Sequence, residues 1–186
     1  MTSHSNIMLS SLPWCIVILA SLVAAVIDVR HAVIPNRITI PLFIGGLIFS
    51  LWTGGNAALI GSITASLLIA LPFIILFVLA GGGAGDAKLM GAVGAWLGWN
   101  QSICVLLAVM ISGVILAIIV AAVKGTLPKV CSRILASFSL VLISISGRTR
   151  LDRKHYLPAN DHTSTRMPYG PAIFAGICIA ALWNIL

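Results

Sequence analysis

No charged side chain stands between Arg37 and Asp86, and none stands between Lys88 and Lys124. A helix needs roughly 20 predominantly apolar residues to cross the hydrocarbon core of a bilayer. Uncharged runs of this length therefore read as membrane spans. The sequence is 60% hydrophobic and 8% charged, whereas soluble domains carry roughly 25% charged residues. With 186 residues there is no room for a sizeable soluble domain beside the spans. Strand alternation is absent, which argues against a transmembrane barrel. The expected architecture is all-α: a polytopic membrane protein forming a single domain over residues 1–186.

Turn signals divide the apolar sequence into six expected spans, at about 9–29, 38–52, 58–80, 87–97, 102–123 and 172–186. Pro35 disfavours helix at Ile34, and Asn36 or Thr39 is a candidate cap for the second helix. Pro41 is tolerated in a first turn, whereas Pro72 predicts a kink. Thr53-Gly54-Gly55-Asn56 reads as a short uncharged connection. Trp96 and Trp99 suit the far membrane interface. The apolar stretch 134–146 is short and flanked by Arg133 and Arg148, which fits an interfacial or re-entrant segment better than a span. Residues 147–167 read as a polar basic loop, and Pro168-Tyr169-Gly170-Pro171 as a rigid lead into the last span. The N-terminal MTSHSNIMLSSLPW has no Lys or Arg before the first apolar run. That run is therefore expected to be a retained helix and not a secretory signal, which would begin with a basic stretch.

Ten of the eleven Lys and Arg residues fall in the segments after the first, third and fifth expected spans, and Lys88 stands at the start of the fourth, on the same side. The positive-inside rule then puts both termini outside and the basic loops in the cytoplasm. Asp28 and Asp86 come to the same, cytoplasmic, side. The net charge of +7 thus speaks to topology and to an anionic cytoplasmic leaflet, not to nucleic acid. The four cysteines, Cys15, Cys104, Cys131 and Cys178, are scattered without a CxxC pair. Neither a zinc site nor a disulfide framework is expected, and they read as small apolar fillers. His4 and His31 lack ligand spacing. No metal or cofactor is expected.

The stretch Gly81 to Leu89 reads GGGAGDAKL. An ionised Asp at the centre of a bilayer costs about 2.5–3.5 kcal/mol on insertion scales, so Asp86 at the junction of two apolar runs needs an explanation. Asp28 stands near the end of the first expected helix, at the same membrane side. Two carboxylates brought to about 3 Å share a proton. The ionised one can then take a proton from water while the protonated one donates to a carbonyl oxygen as it becomes tetrahedral, which is peptide hydrolysis by two aspartates. Gly83 and Gly85 would let the backbone turn tightly beside such a pair. Other readings remain. Asp28 alone could pair with Arg30 or His31, and Asp86 alone could be a helix N-cap. Lys88 reads as an anchor that snorkels to the interface. Asp152, Asp161, His155 and His162 read as solvated residues of the basic loop.

Gly83-Ala84-Gly85-Asp86-Ala87-Lys88-Leu89 matches the GxGDxKL signature of the type IV prepilin peptidases, which are intramembrane aspartyl proteases. Asp28-Val29-Arg30 with Ile34-Pro35-Asn36 resembles the segment that carries the first catalytic Asp of that family. Met167-Pro168-Tyr169-Gly170-Pro171-Ala172-Ile173 resembles its tail motif, and the resemblance runs from about residue 14 to the C-terminus. It implies an endopeptidase that cuts the short basic leader from type IV pilin-like precursors at the cytoplasmic face of a prokaryotic inner membrane. Asp28 and Asp86 would be catalytic, with Gly83, Gly85 and Lys88 as the supporting motif. Long members also carry a domain with paired CxxC motifs after the first helix and N-methylate the new terminus. Neither the domain nor the cysteines occur here, so the chain resembles the short peptidase-only branch serving Flp/Tad-type pili, and methylation is expected to be absent.

The same fold could act on preflagellin or on secretion and competence pseudopilins. A reading from another class is a small proton-coupled transporter with Asp28 and Asp86 as a relay. Such a transporter would show inverted repeats and polar residues at mid-membrane, whereas the ionisable residues here cluster at one end of the spans.

Overall fold

The fold comes from a computed structural model, which describes residues 2–80, 83–123 and 169–185. Among the described residues all regular structure is helical: α1 (Thr2–His31), α2 (Asn36–Ala80), α3 (Ala84–Val123) and α4 (Gly170–Ile185). Three helical stretches are long and apolar enough to cross a membrane, Ser11–His31, Asn36–Val78 and Ala84–Val120, and α4 is a shorter apolar helix. The expected interfacial segment 134–146 and basic loop 147–167 lie outside the described residues, as does Cys131. Residues 1–114 with 166–186 form one compact unit and residues 115–165 a second. The description below concerns the first.

Where short connections are expected between separate helices, single glycines divide them. The α2 helix continues through Thr53, Gly54 and Asn56 and leaves helical dihedrals at Gly55 (φ 64°, ψ −156°). The α3 helix does the same at Gly98 (φ 68°, ψ −171°). Both are left-handed positions, which glycine adopts without a Cβ penalty. The expected loops at 53–56 and 98–101 thus contract to single glycine breaks. Pro72, where a kink is expected, stays within the helical dihedrals of α2. The first expected helix is extended at both ends, and the last begins two residues early, at Gly170.

Apolar surface gains little by leaving lipid, so helix association in a membrane rests on close packing and interhelical hydrogen bonds. The contact between α2 and α3 uses both. A Cβ on Gly94 would come within 2.9 Å of the Ala65 carbonyl oxygen and 2.8 Å of Ser66 Cα, so the two backbones nearly touch there. The Ser66 hydroxyl donates to the Gly91 carbonyl at 2.6 Å. The Ser50 hydroxyl lies 3.3 Å from the Ala95 carbonyl and also pairs with Ser62 across the break in α2. Trp96, expected at an interface, instead turns into this contact. Its Nε1 donates to the Leu42 carbonyl at 2.7 Å, and its ring stacks on Phe49 at 5.3 Å. Trp99 is exposed.

The core collects Val17, Ala24, Ile69, Leu89, Met90, Val93, Val105, Val109, Ile173 and Ile177 from all four helices. Large side chains such as Leu67, Val78, Ile111 and Leu182 face outward. An apolar outer surface is what a lipid-facing helix bundle requires. Cys15 and Cys104 belong to this outer surface and Cys178 is half-buried.

Substitution of Gly94 by Val should collapse the α2–α3 contact, because the new side chain meets backbone and not a movable side chain. The expected result, read by fluorescence-detected size exclusion in detergent, is loss of the monodisperse folded peak. Gly61→Ala should leave the peak and its melting temperature unchanged or slightly raised, since Gly61 faces open space and Ala is the better helix former by about 1 kcal/mol.

Candidate active site

Asp28 lies in the last turn of α1 and is only 6% exposed. The helix closes immediately after it. The Ala32 amide donates to the Asp28 carbonyl at 2.7 Å, and Ala32 takes the left-handed conformation (φ 52°) that commonly ends helices. Residues 32–35 then turn the chain into α2 and bury Ile34. The Asp28 side chain points to neither Arg30 nor His31, both exposed. Its Oδ2 accepts a hydrogen bond from the backbone N–H of Gly170 at 2.7 Å.

Asp86 is placed by the turn before α3. Gly83 has φ +89°, and a Cβ there would sit 3.0 Å from Asp86 Oδ2. The Gly83 carbonyl accepts from the Ala87 amide at 3.1 Å. Gly83 therefore occupies the cap position, and Asp86 lies three residues on, in the first turn. The N-cap reading of Asp86 is corrected on this geometry. An acidic side chain in a first turn faces the positive end of the helix dipole.

Gly85 brings the two acidic segments together. A Cβ at Gly85 would meet Ile34 Cβ at 2.9 Å, so the start of α3 lies directly on the α1–α2 turn. Beside it, Lys88 Nζ donates to Asn36 Oδ1 at 3.0 Å. Lys88 is exposed at this end of α3, and it ties the glycine-rich segment to the first residue of α2. Asn36 therefore serves Lys88, and Thr39, the other candidate cap, is buried without a hydrogen-bond partner for its hydroxyl.

The start of α4 completes the group. A Cβ on Gly170 would meet Asp28 Cβ at 2.9 Å and Ala25 Cα at 3.0 Å, so the segment rests directly on α1. Tyr169 stands edge-on to Phe73 of α2, ring centres 6.1 Å apart. Burial pushes the Tyr169 phenol above its ordinary value, and the charge of Asp86 adds to this. The charge of Asp28 in turn acts on Asp86. The residues that the sequence singles out as Asp28, Gly83, Gly85, Asp86 and Lys88 are thus gathered at one end of the helices. Tyr169 and Gly170 join them; the sequence reads their segment as a rigid lead into a helix and as a likeness to the family's tail motif, without assigning either residue a role at the site. The Pro-Tyr-Gly-Pro signal is visible in the sequence, but its partner is not. Among the described residues no three His, Cys, Asp or Glu side chains cluster as metal ligands would.

The profile of the type IV leader peptidase family matches residues 15–118. This chain belongs to that family. It is 30% identical to the prepilin leader peptidase/N-methyltransferase of Aeromonas salmonicida (strain A449) over 164 residues, covering 85% of this chain and 44% of the relative. It is 37% identical to the protein of the same name from Burkholderia pseudomallei (strain K96243) over 100 residues, 50% of this chain and 32% of the relative. A third such protein, from Dickeya chrysanthemi, is 38% identical over 82 residues, 41% of this chain and 29% of the relative. The chain thus spans less than half the length of these relatives. No solved structure matches it. In this member of the type IV leader peptidase family, Asp28 and the whole glycine-rich segment fall within the profile, while the Gly170 amide that binds Asp28 comes from beyond its end.

The Asp28–Gly170 contact has a direct consequence for stability. A hydrogen bond to a charged group contributes about 1.5–3 kcal/mol, and a buried donor left unsatisfied costs a similar amount. Asp28→Asn keeps an acceptor oxygen and should melt close to wild type in detergent. Asp28→Leu removes the acceptor and should lower the melting temperature by several degrees more. Equal melting of the two variants would contradict the assigned hydrogen bond.

Proposed function

We propose that this chain is an intramembrane aspartic endopeptidase that removes the short basic leader from type IV pilin-like precursors at the cytoplasmic face of a prokaryotic inner membrane. The observation that carries this reading is the approach of the two acidic segments: the start of α3, which bears Asp86, lies on the turn that follows Asp28, where a Cβ on Gly85 would meet Ile34 Cβ at 2.9 Å. The two carboxylates come from different helices and stand beside the turn made by Gly83 and Gly85. Membership of the type IV leader peptidase family and the printed names of the relatives support the substrate class.

In the proposed reaction one carboxylate of the pair takes a proton from a water molecule as its oxygen adds to the scissile carbonyl carbon. The other carboxyl gives its proton to the carbonyl oxygen. The tetrahedral intermediate then breaks its C–N bond: the nitrogen receives the proton held by the first carboxyl, and a hydroxyl of the intermediate returns its proton to the second as the new carbonyl forms. The pair shares one proton throughout. Gly83 leaves no side chain beside the Asp86 carboxylate, where an extended substrate strand would lie, Gly85 seats the start of α3 on Ile34, and Lys88 fixes the turn through Asn36. No metal or cofactor takes part in this scheme.

The two glycine breaks divide α2 and α3 so that the described residues contain six helical segments. This fits six crossings with both termini outside and the basic segments in the cytoplasm, against anionic lipid. Only residues 32–35 separate α1 from α2. That short link leaves no room for the domain that long members carry there, and it supports a peptidase-only member without methyl transfer, serving Flp/Tad-type pili.

The test is leader removal in membranes from a co-expressed short pilin precursor, followed by the mobility shift of the product. Asp28→Asn and Asp86→Asn should each reduce cleavage by at least 1,000-fold while the protein accumulates normally. Asn keeps the size of Asp but exchanges no proton. Normal cleavage by either variant would remove that residue from the catalytic pair.

A further inference from the structure

Among the described residues the Asp28 carboxylate has one hydrogen-bond partner, the Gly170 amide, and the segment bearing this amide is itself seated on α3. Tyr169 packs with its ring against Gly113, where an added Cβ would overlap the phenol oxygen and ring carbons outright. One residue earlier on α3, the Ser112 hydroxyl lies 2.6 Å from the Ala172 carbonyl, to which it donates. One turn before that, Val109 receives Gly176 so closely that a Cβ there would come within 2.5 Å of Val109 Cα. Positions 109, 112 and 113 share one helix face. That face fastens the first two turns of α4, and the first residue of α4 holds Asp28. The α3 helix therefore carries Asp86 at one end and, well beyond the break at Gly98, the seat of the residue that aims the other carboxylate.

We propose that Gly113 is a positioning residue for Asp28: its missing side chain seats Tyr169, and the seated Tyr169 holds the Gly170 amide on the Asp28 carboxylate. The inference rests on the endopeptidase reading above and goes beyond it. Gly113 touches neither carboxylate. It acts through Tyr169 and Gly170, so its effect should fall on turnover and not on substrate binding. Misplacement by about 1 Å far from the reacting atoms can cost on the order of 100-fold in rate.

Two measurements test this. The first is cleavage kinetics of purified full-length protein with a pilin-type precursor peptide. Gly113→Ala should lower kcat at least tenfold and leave KM within twofold. Adding Tyr169→Phe to Gly113→Ala removes the phenol oxygen that collides worst, and should recover at least threefold of the lost kcat. Gly61→Ala, which faces open space, should change neither constant. Wild-type kcat in Gly113→Ala, a loss confined to KM, or no recovery in the double variant would each overturn the proposal.

The second measurement needs no activity. The chain has two tyrosines, so 3-fluorotyrosine in a Tyr156→Phe background reports Tyr169 alone. Its fluorine resonance should move in Gly113→Ala and also in Asp28→Leu, which breaks the bond to the neighbouring amide, and should stay in place in Gly61→Ala. A resonance that ignores Gly113→Ala or Asp28→Leu overturns the proposal. Failure of the wild type to cut any pilin-type precursor would instead count against the endopeptidase reading, with the fluorine resonance still deciding whether Gly113 seats Tyr169. If Gly113→Ala fails to accumulate, Tyr169→Ala takes its place: it empties the seat without a collision, and it should reproduce the selective loss of kcat.

Discussion

The hydrogen bond from the Gly170 amide to Asp28 joins residues 142 positions apart, and the arrangement of the site depends on it. A buried carboxylate near the end of an apolar helix is costly unless its lone pairs are satisfied. The partner here is backbone, and backbone has no side-chain freedom with which to search for its target. The main chain at residue 170 must therefore be delivered whole to α1. Glycine at 170 makes this possible, because any Cβ would strike Asp28 and Ala25 first. The demand then passes to the elements behind it. Tyr169 must lie on Gly113, and the α4 helix must lie on Val109 and Ser112.

The same logic of close backbone approach governs the α2–α3 contact. Lipid removes the usual hydrophobic drive for helix pairing, and what replaces it is geometric. Small residues at Gly91, Gly94 and Ala95 let serine hydroxyls on α2 reach main-chain carbonyls on α3. Each hydroxyl satisfies a carbonyl already used by its own helix, so the bonds tie helices together without unravelling them. The Trp96 indole does the same in the opposite direction, donating to the carbonyl of Leu42. A rigid α2–α3 pair fixes the start of α3, and with it Asp86.

Much of this was legible in the sequence. Unbroken apolar runs state the helices, and an acidic residue between Gly85 and Ala87 announces that something other than packing happens there. Asp28 and Asp86 could be assigned to one end of the spans from charge placement alone. Other features were not legible, for reasons that are local and physical. Glycine in Thr53-Gly54-Gly55-Asn56 signals a loop by composition, yet a single left-handed residue suffices to redirect a helix whose neighbours can all remain helical. Trp96 reads as an interfacial anchor because tryptophan favours interfaces in general. Its actual place depends on a carbonyl 54 residues away, which no local pattern encodes. Gly113 is silent in sequence for the same reason. A glycine in an apolar helix shows no partner until Tyr169 is laid against it.

This last case bears on how the two ends of the chain relate. The family profile ends at residue 118 and so contains both carboxylates and the Gly113 seat, but not the segment that occupies the seat. Asp28 and Asp86 could in principle be held by α1, α2 and α3 alone, through Ile34 against Gly85 and Lys88 on Asn36. Those contacts set where the chain turns, whereas the carboxylate of Asp28 projects from the helix toward α4. Its direction is therefore set by α4, and a bundle lacking that helix would keep the position of Asp28 but lose its aim. In the proposed endopeptidase the two carboxylates would share a proton across about 3 Å, and for that aim is the more demanding requirement.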